Sequence, residues 1–328
     1  MKYLLAPMAT LSHEALRHTI EKFGGCDEYY TEMINAASLI HGGSFEKFYL
    51  MNGPSPEKIV WQLTGEDSDK LKQAAEITAE KGGIGIDINM GCAAPDIYKH
   101  GAGIAWMLKP RDETSALLDK IKDVCLKHSM RLSVKFRLGA EDFTEESFLS
   151  FTDMLAAHGV QQMVLHPRTL KEKYTRPPRW QYIDMMCKHV KASHPEISVI
   201  GNGGIKDCAS FKAICKAAPQ MDGVMLARYA IQKPWIFAEL KKCGQESSEK
   251  QCADLFAIAE SFTADLEIYQ PQEFYDTRSR RFFAYFLDNF MYGHYLKSQI
   301  LNTAVRKEQL AFLEEYLKKM PSEQFAYF

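Results

Sequence analysis

The sequence predicts an eightfold α/β (TIM-type) barrel followed by an all-helical C-terminal domain. Three observations carry that expectation. Eight short apolar runs alternate with longer helical patterns over about the first 240 residues. The runs are apolar throughout, as in parallel strands covered on both faces. Beyond residue 253 only helical periodicity remains. An open doubly wound sheet is the alternative, but no G-x-G-x-x-G follows the first strand, and eight β-then-α units suit closure.

The predicted strands are residues 3–6, 28–32, 59–63, 84–89, 132–137, 162–166, 198–202 and 222–226. The intervening helices are residues 12–23, 67–81, 111–128, 144–158, 182–193 and 208–217. Ser12 with Ala15, and Thr144 with Ser147, stand where N-caps are expected. The polar stretch Cys243-Gly244-Gln245-Glu246-Ser247-Ser248 reads as a linker, and helical patterns then cover 253–269, 277–296 and 307–319. The expected division is a barrel of residues 1–243 and a helical domain of residues 244–328.

The 328 residues are 46% hydrophobic and 25% charged, ordinary for a soluble globular enzyme. A formal net charge of -2 means that any nucleic acid must be met by a local patch. The eight cysteines show neither C-x-x-C nor metal spacing, so they read as reduced thiols in a cytoplasmic protein without a metal. The apolar start, Met1 to Pro7, is too short for a signal core or a membrane span. The expected state is a monomer.

In such barrels, ligands sit at the carboxyl ends of the strands. Those ends carry Ala6-Pro7-Met8-Ala9, Gln62 with Thr64-Gly65, Asn89 with the Cys92 loop, Lys135-Phe136-Arg137, His166-Pro167-Arg168-Thr169, Asn202-Gly203-Gly204 and Ala227-Arg228. Each has a bland reading: Cys92 an inert thiol, Gln62 a backbone cap, Lys135 a solvated amine, His166 a core imidazole. Their convergence is harder to set aside. Asn202-Gly203-Gly204 offers unobstructed N–H groups, and Ala227-Arg228 opens a helix whose first amides attract an anion. A phosphate there, with Lys135 and the amides of Gln62 and Asn89 across the barrel, suits flavin mononucleotide (FMN). Lys135 would face the charge of the reduced ring, and Pro7, Met8 and Ala9 would form its floor.

These residues together resemble the tRNA-dihydrouridine synthase family. The resemblance rests on Ala6-Pro7-Met8, Thr31-Glu32-Met33, Gln62-Leu63-Thr64-Gly65, Asp87-Ile88-Asn89-Met90-Gly91-Cys92, Gly101-Ala102-Gly103, Lys135-Phe136-Arg137, His166-Pro167-Arg168-Thr169, Asn202-Gly203-Gly204 and Leu226-Ala227-Arg228, in the family's order. It implies an FMN barrel with a helical tRNA-binding domain, reducing uridine to dihydrouridine with electrons from NADPH. It implies Cys92 as proton donor to C5, with hydride from flavin N5 going to C6. It implies flavin contacts at Pro7, Met8, Ala9, Gln62, Lys135, His166, Asn202, Gly203, Gly204, Ala227 and Arg228. Departures are Ala93 for the proline after the thiol, Asp96 for a common lysine, Pro167 for a glycine, and Tyr229 for a glycine after Arg228.

An unperturbed thiol is mostly protonated at neutral pH and can donate without special tuning. Asn89, Lys135, His166 and Arg168 are the candidates for holding the uracil oxygens, with Arg137 a further candidate substrate contact, and the base must be extruded from a folded RNA. Arg168, Lys171, Lys173, Arg176 and Arg179 form a basic loop at the expected mouth, with Arg176 a candidate phosphate contact. The tail from Gln245 has 9 Lys/Arg against 13 Asp/Glu, a net of −4. Within it only Arg278, Arg280 and Arg281 form a basic cluster, backed by aromatics that read mostly as core. The rival readings are an FMN barrel reductase of a free pyrimidine or enone, a flavin-free lyase with Lys135 as Schiff-base amine, and an RNA-binding protein without catalysis.

Overall fold

The computed structural model describes residues 1–140, 142–172, 176–244, 250–303 and 305–328. Eight parallel strands close into a barrel: β1 (Lys2–Leu5), β2 (Glu28–Tyr30), β3 (Ile59–Thr64), β4 (Gly85–Met90), β5 (Arg131–Arg137), β6 (Gln162–His166), β7 (Ser198–Asn202) and β8 (Gly223–Leu226). Each pairs with the next and β8 returns to β1, Leu5 lying opposite Leu226. A two-residue strand, Ile34–Asn35, runs beside β3. The open-sheet alternative is thereby excluded.

Apolar strands favour this closure because both faces are covered. The outer faces meet the helices, and part of the interior is filled by Leu4, Ala6, Tyr30, Val60, Val164, Ile200 and Met225. The rest of the interior is polar. Glu28, Tyr30, Gln62, Asp87, Ser133 and Gln162 are joined by hydrogen bonds between side chains. Apart from Gln162 Oε1, which has no partner among the described residues, this filled interior is hydrogen-bonded, a packed core that makes the barrel a rigid platform for its rim.

Thr144 caps its helix as expected, its hydroxyl accepting from the Ser147 N–H at 3.1 Å. Ser12 does not cap. Its hydroxyl donates to the Ala6 carbonyl at 2.6 Å and accepts the Met8 N–H at 2.8 Å, closing the loop after β1. The helix starts at Glu14 instead.

The C-terminal part is helical over Leu255–Tyr269, Tyr275–Phe286, Gly293–Ile300 and Arg306–Lys319. It is not purely helical. Cys252–Asp254 pairs antiparallel with Phe325–Tyr327, strands too short to show a period in sequence. The helix expected across 277–296 breaks after Phe286, where Asn289 donates to the Phe286 and Gln232 carbonyls. Gly293 permits the next helix to pack, since a Cβ there would lie 2.2 Å from the Leu287 carbonyl oxygen. Stacked Phe262, Phe282 and Phe286 form the core of this part.

The cysteine expectation needs correction. Cys208 and Cys243 are joined in a disulfide, with Cα atoms 5.6 Å apart, while six cysteines are free. The segment that closes the barrel at Cys243 returns to the start of helix Cys208–Ala217, a proximity that sequence spacing does not encode. Residues 245–248 of the expected linker lie outside the described residues. Among the described residues no helix is long and apolar enough to cross a membrane.

Candidate active site

A cavity of about 830 Å³ opens at the carboxyl ends of the strands. It is in the size range of cofactor sites. Its wall includes Pro7, Met8 and Ala9 after β1, Asn89 at the end of β4 and Cys92 just beyond it, and Lys135 and Arg137 at the end of β5. It continues through His166 and Arg168, Asn202 to Gly204, and Ala227 and Arg228. Six strand-end segments that are far apart in sequence thus meet around one space.

The Cys92 loop is held from both sides. Asn89 Oδ1 accepts the backbone N–H groups of Gly91 at 3.1 Å and Cys92 at 2.9 Å. Ile104 N–H donates to the Cys92 carbonyl at 3.1 Å. Gly103, with φ at 60°, allows this approach, because a Cβ there would lie 2.7 Å from that carbonyl oxygen. Arg137 donates to the Gly91 carbonyl at 2.8 Å and to the Thr169 carbonyl at 3.3 Å, tying this loop to the one after β6.

Lys135 lies opposite Asn89 in register. Burial, and then the Arg137 charge, push its ammonium down to about 8, against the pull of Asp87 and Cys92. Burial holds His166 at about 2, helped by Lys135, Arg137, Arg168 and Arg228, so its ring is neutral. Arg168 lies 3.0 Å from His166 Nε2. A guanidinium only donates, so Nε2 accepts and Nδ1 carries the ring proton.

The turn after β7 favours glycine and is tight for larger side chains. Gly203 and Gly204 have φ of 114° and 83°. A Cβ on Gly203 would lie 3.3 Å from the His166 ring, and one on Gly204 3.0 Å from Pro178. Asn202 donates to the Met225 carbonyl at 2.8 Å, tying the end of β7 to β8. With Arg228 on the same wall, this donor set fits a phosphate, and the amine and neutral imidazole beside it fit a flavin ring.

Several expected contacts fall elsewhere. Gln62 does not line the cavity and is 0% exposed. It sits one layer deeper, accepting from Asn89 Nδ2 at 2.9 Å and donating to Asp87 at 2.7 Å. Arg278 is also no surface grip: it is 2% exposed and pairs with Glu32 at 2.8 Å. Arg280 does not line the cavity, and its Nε donates to the Asp276 carbonyl at 3.2 Å. Arg281 does line it. Arg176 is exposed and outside the cavity wall, its carbonyl accepting from the Arg168 guanidinium. Arg179 pairs with Glu172 at 2.9 Å, and Lys173 lies outside the described residues.

The cavity also recruits residues that the sequence reading passed over. Met33 follows the Glu32 motif, Tyr229 is one of the departures noted above, and Tyr285 was grouped with the core aromatics. Tyr285 and Arg281 show that the helical part walls the site. The signal was present: Arg278, Arg281 and Tyr285 share one stripe at i, i+3 and i+7.

A closed barrel whose rim cavity is lined by a cysteine, a buried lysine and a double-glycine turn has the architecture of a barrel enzyme. Residues 4–321 match the family described as Dihydrouridine synthase. A probable tRNA-dihydrouridine synthase of Aquifex aeolicus is 30% identical over 73% of this chain and 72% of its own length. Bacillus subtilis probable tRNA-dihydrouridine synthase 2 is 26% identical over 97% of this chain and 94% of its own. The tRNA-dihydrouridine(47) synthase [NAD(P)(+)] of Cryptococcus neoformans is 27% identical over 73% of this chain, which spans 34% of that protein. A morphinone reductase mutant in complex with tetrahydroNAD shares the fold, with a TM-score of 0.52, 10% identity and 73% and 86% of the two chains covered. The chain belongs to the dihydrouridine synthase family and is a tRNA-dihydrouridine synthase.

Proposed function

We propose that the cavity holds FMN, is reduced by NADPH, and turns uridine of tRNA into dihydrouridine with Cys92 as the acid. The observation that carries this reading is the placement of Cys92, Lys135, His166, Gly203, Gly204 and Arg228 around one cavity. The protein acts as a monomer in the cytoplasm, with residues 1–243 as the catalytic domain and 244–328 as the RNA-facing one.

Gly203, Gly204 and the amides after Ala227 hold the phosphate, with Arg228 as its counter-charge. Pro7, Met8 and Ala9 support the ring. Lys135 and neutral His166 face its polar edge. When bound, the flavin supplies a hydride to uracil C6. Negative charge then develops toward C5 and O4, and Cys92 gives its proton to C5. Asn89 and Arg168 border the cavity where the base enters and stabilise that charge. Arg137 holds the thiol loop in place for the transfer. Arg281 and Tyr285 receive the RNA around the extruded base.

The test is dihydrouridine mapping in tRNA from cells with and without this gene, together with NADPH-driven turnover of the purified protein. Loss of dihydrouridine at defined sites supports the reading. Turnover of free uridine or uracil without tRNA would replace it with a small-molecule reductase. A protein that stays colourless with added FMN would end it.

A further inference from the structure

Glu32 stands where three parts of the molecule meet. It is 4% exposed, in the segment after β2, and directly precedes the cavity residue Met33. Glu32 Oε1 accepts the Thr10 N–H at 2.5 Å. Oε2 accepts from Arg278 Nη1 at 2.8 Å. Each carboxylate oxygen thus serves a different element.

The Thr10 side of this link shapes the cavity floor. Thr10 has φ of 66°, which a β-branched residue seldom adopts. Such a conformation costs roughly 1–3 kcal/mol and persists where surrounding contacts enforce it. Ser12 closes the loop through Ala6 and Met8, and Glu32 takes the N–H that the left-handed turn directs inward. Pro7, Met8 and Ala9, immediately before the turn, line the cavity.

The Arg278 side of the link sets another part of the wall. Arg278 belongs to helix Tyr275–Phe286 and packs against Tyr49 and Phe274, 5.8 and 5.1 Å from their ring centroids. Three residues on, the same stripe gives Arg281 to the cavity, and four further on it gives Tyr285. The ion pair therefore sets how deep this helix sits against the barrel. With both side chains buried, neither can be re-hydrated without undocking the helix.

We propose that Glu32 is a positioning residue that couples docking of the C-terminal helices to the floor of the flavin site. Neither Glu32 nor Arg278 touches the cavity, yet together they hold two of its walls at a set separation. The inference rests on the reading of the cavity as a flavin site. It goes further by making the helical domain part of cofactor binding as well as of RNA contact.

The test is titration of the flavin-stripped full chain with FMN, read by flavin fluorescence, for Glu32→Gln, Arg278→Met and the double variant. Each single change is expected to raise the FMN Kd by roughly fivefold or more. The double variant leaves no lone buried charge, so it is expected to fold. Its Kd should match that of either single variant instead of their product, the mark of a shared link. Arg278→Lys, which keeps the charge, should recover part of the affinity. Lys318→Ala, an exposed ion pair elsewhere on the domain, should change nothing. If wild type binds FMN and all these variants bind it within about twofold, the coupling is refuted and the pair only joins the domains. Independent, multiplying effects refute it as well. A wild-type protein that binds no FMN overturns the flavin reading itself, which is a separate outcome.

Discussion

Asn89 Oδ1 accepts the Cys92 N–H at 2.9 Å, and this bond orients both residues. The oxygen also takes the Gly91 N–H, so the amide nitrogen must point away from the loop. Nδ2 donates to Gln62 Oε1, which leaves Gln62 Nε2 to donate to Asp87. Asp87 also accepts from the Ser133 hydroxyl at 2.6 Å. Each donor–acceptor choice dictates the next. The Cys92 loop is thus referenced through Asn89 to the Asp87 carboxylate, two residues before Asn89 along β4 and deep in the barrel.

Cys92→Ala removes the proposed acid and leaves the loop's backbone contacts in place. General acids contribute roughly 100- to 10,000-fold, so uridine reduction should fall by at least about 100-fold. FMN binding and NADPH-driven bleaching of the flavin should persist. Full dihydrouridine formation in the variant would remove Cys92 from the mechanism.

Gln62→Ala tests the layer below the site. It leaves Asn89 Nδ2 and an oxygen of Asp87 without their partner. A buried group stripped of its hydrogen bond costs about 1–3 kcal/mol, so the melting temperature should drop by several degrees. FMN should still bind, since Gln62 does not reach the cavity. Loss of FMN binding with an unchanged melting temperature would restore Gln62 as a direct contact.

The alkaline limb of the NADPH half-reaction should belong to Lys135. Its ammonium, pushed down to about 8, is charged below that value and lost above it. Flavin reduction should slow as pH rises through about 8, as the cation proposed to face the reduced ring disappears. Lys135→Arg stays charged and should lose this limb. His166, neutral from about 2 upward, adds no limb near its ordinary range. Stability moves the other way. An unfolded lysine keeps its proton to about 10.4, so between about 8 and 10.4 the unfolded chain binds more protons. In that window Lys135 makes the fold more stable as pH rises. An unaltered limb in Lys135→Arg would assign it to another group.

Strand ends were legible in the sequence where backbone chemistry dictates them. Gln162–His166 and Ser198–Asn202 match their predicted spans, and glycines at 203 and 204 mark the left-handed turns of the cradle. Depth was not legible. Gln62 and Asn89 both point into the barrel, but register puts Gln62 opposite Asp87, one layer below Asn89. Contacts between remote segments were hidden for the same reason. Arg278 looks like surface charge in its own helix, and only docking against Glu32, 246 residues away, makes it core. The Cys208–Cys243 bridge and the terminal strand pair depend likewise on where the chain returns.

The basic cluster of the tail therefore reduces to one residue that faces the site. Arg281 is exposed and lines the cavity, whereas Arg280 turns back to the Asp276 carbonyl. An arginine that neutralises a phosphate releases counterions, and each such contact adds slightly less than one to the salt slope of binding. Arg281→Ala should weaken tRNA affinity and lower the magnitude of that slope by about 1. Arg280→Ala should leave the slope unchanged. Tyr285→Ala should weaken binding through lost stacking, roughly 1–3 kcal/mol, without altering the slope, because a tyrosine carries no charge there. Binding isotherms at several salt concentrations separate the three. A slope that responds to Arg280 and ignores Arg281 would place the RNA on the outer face of the helix, away from the cavity mouth.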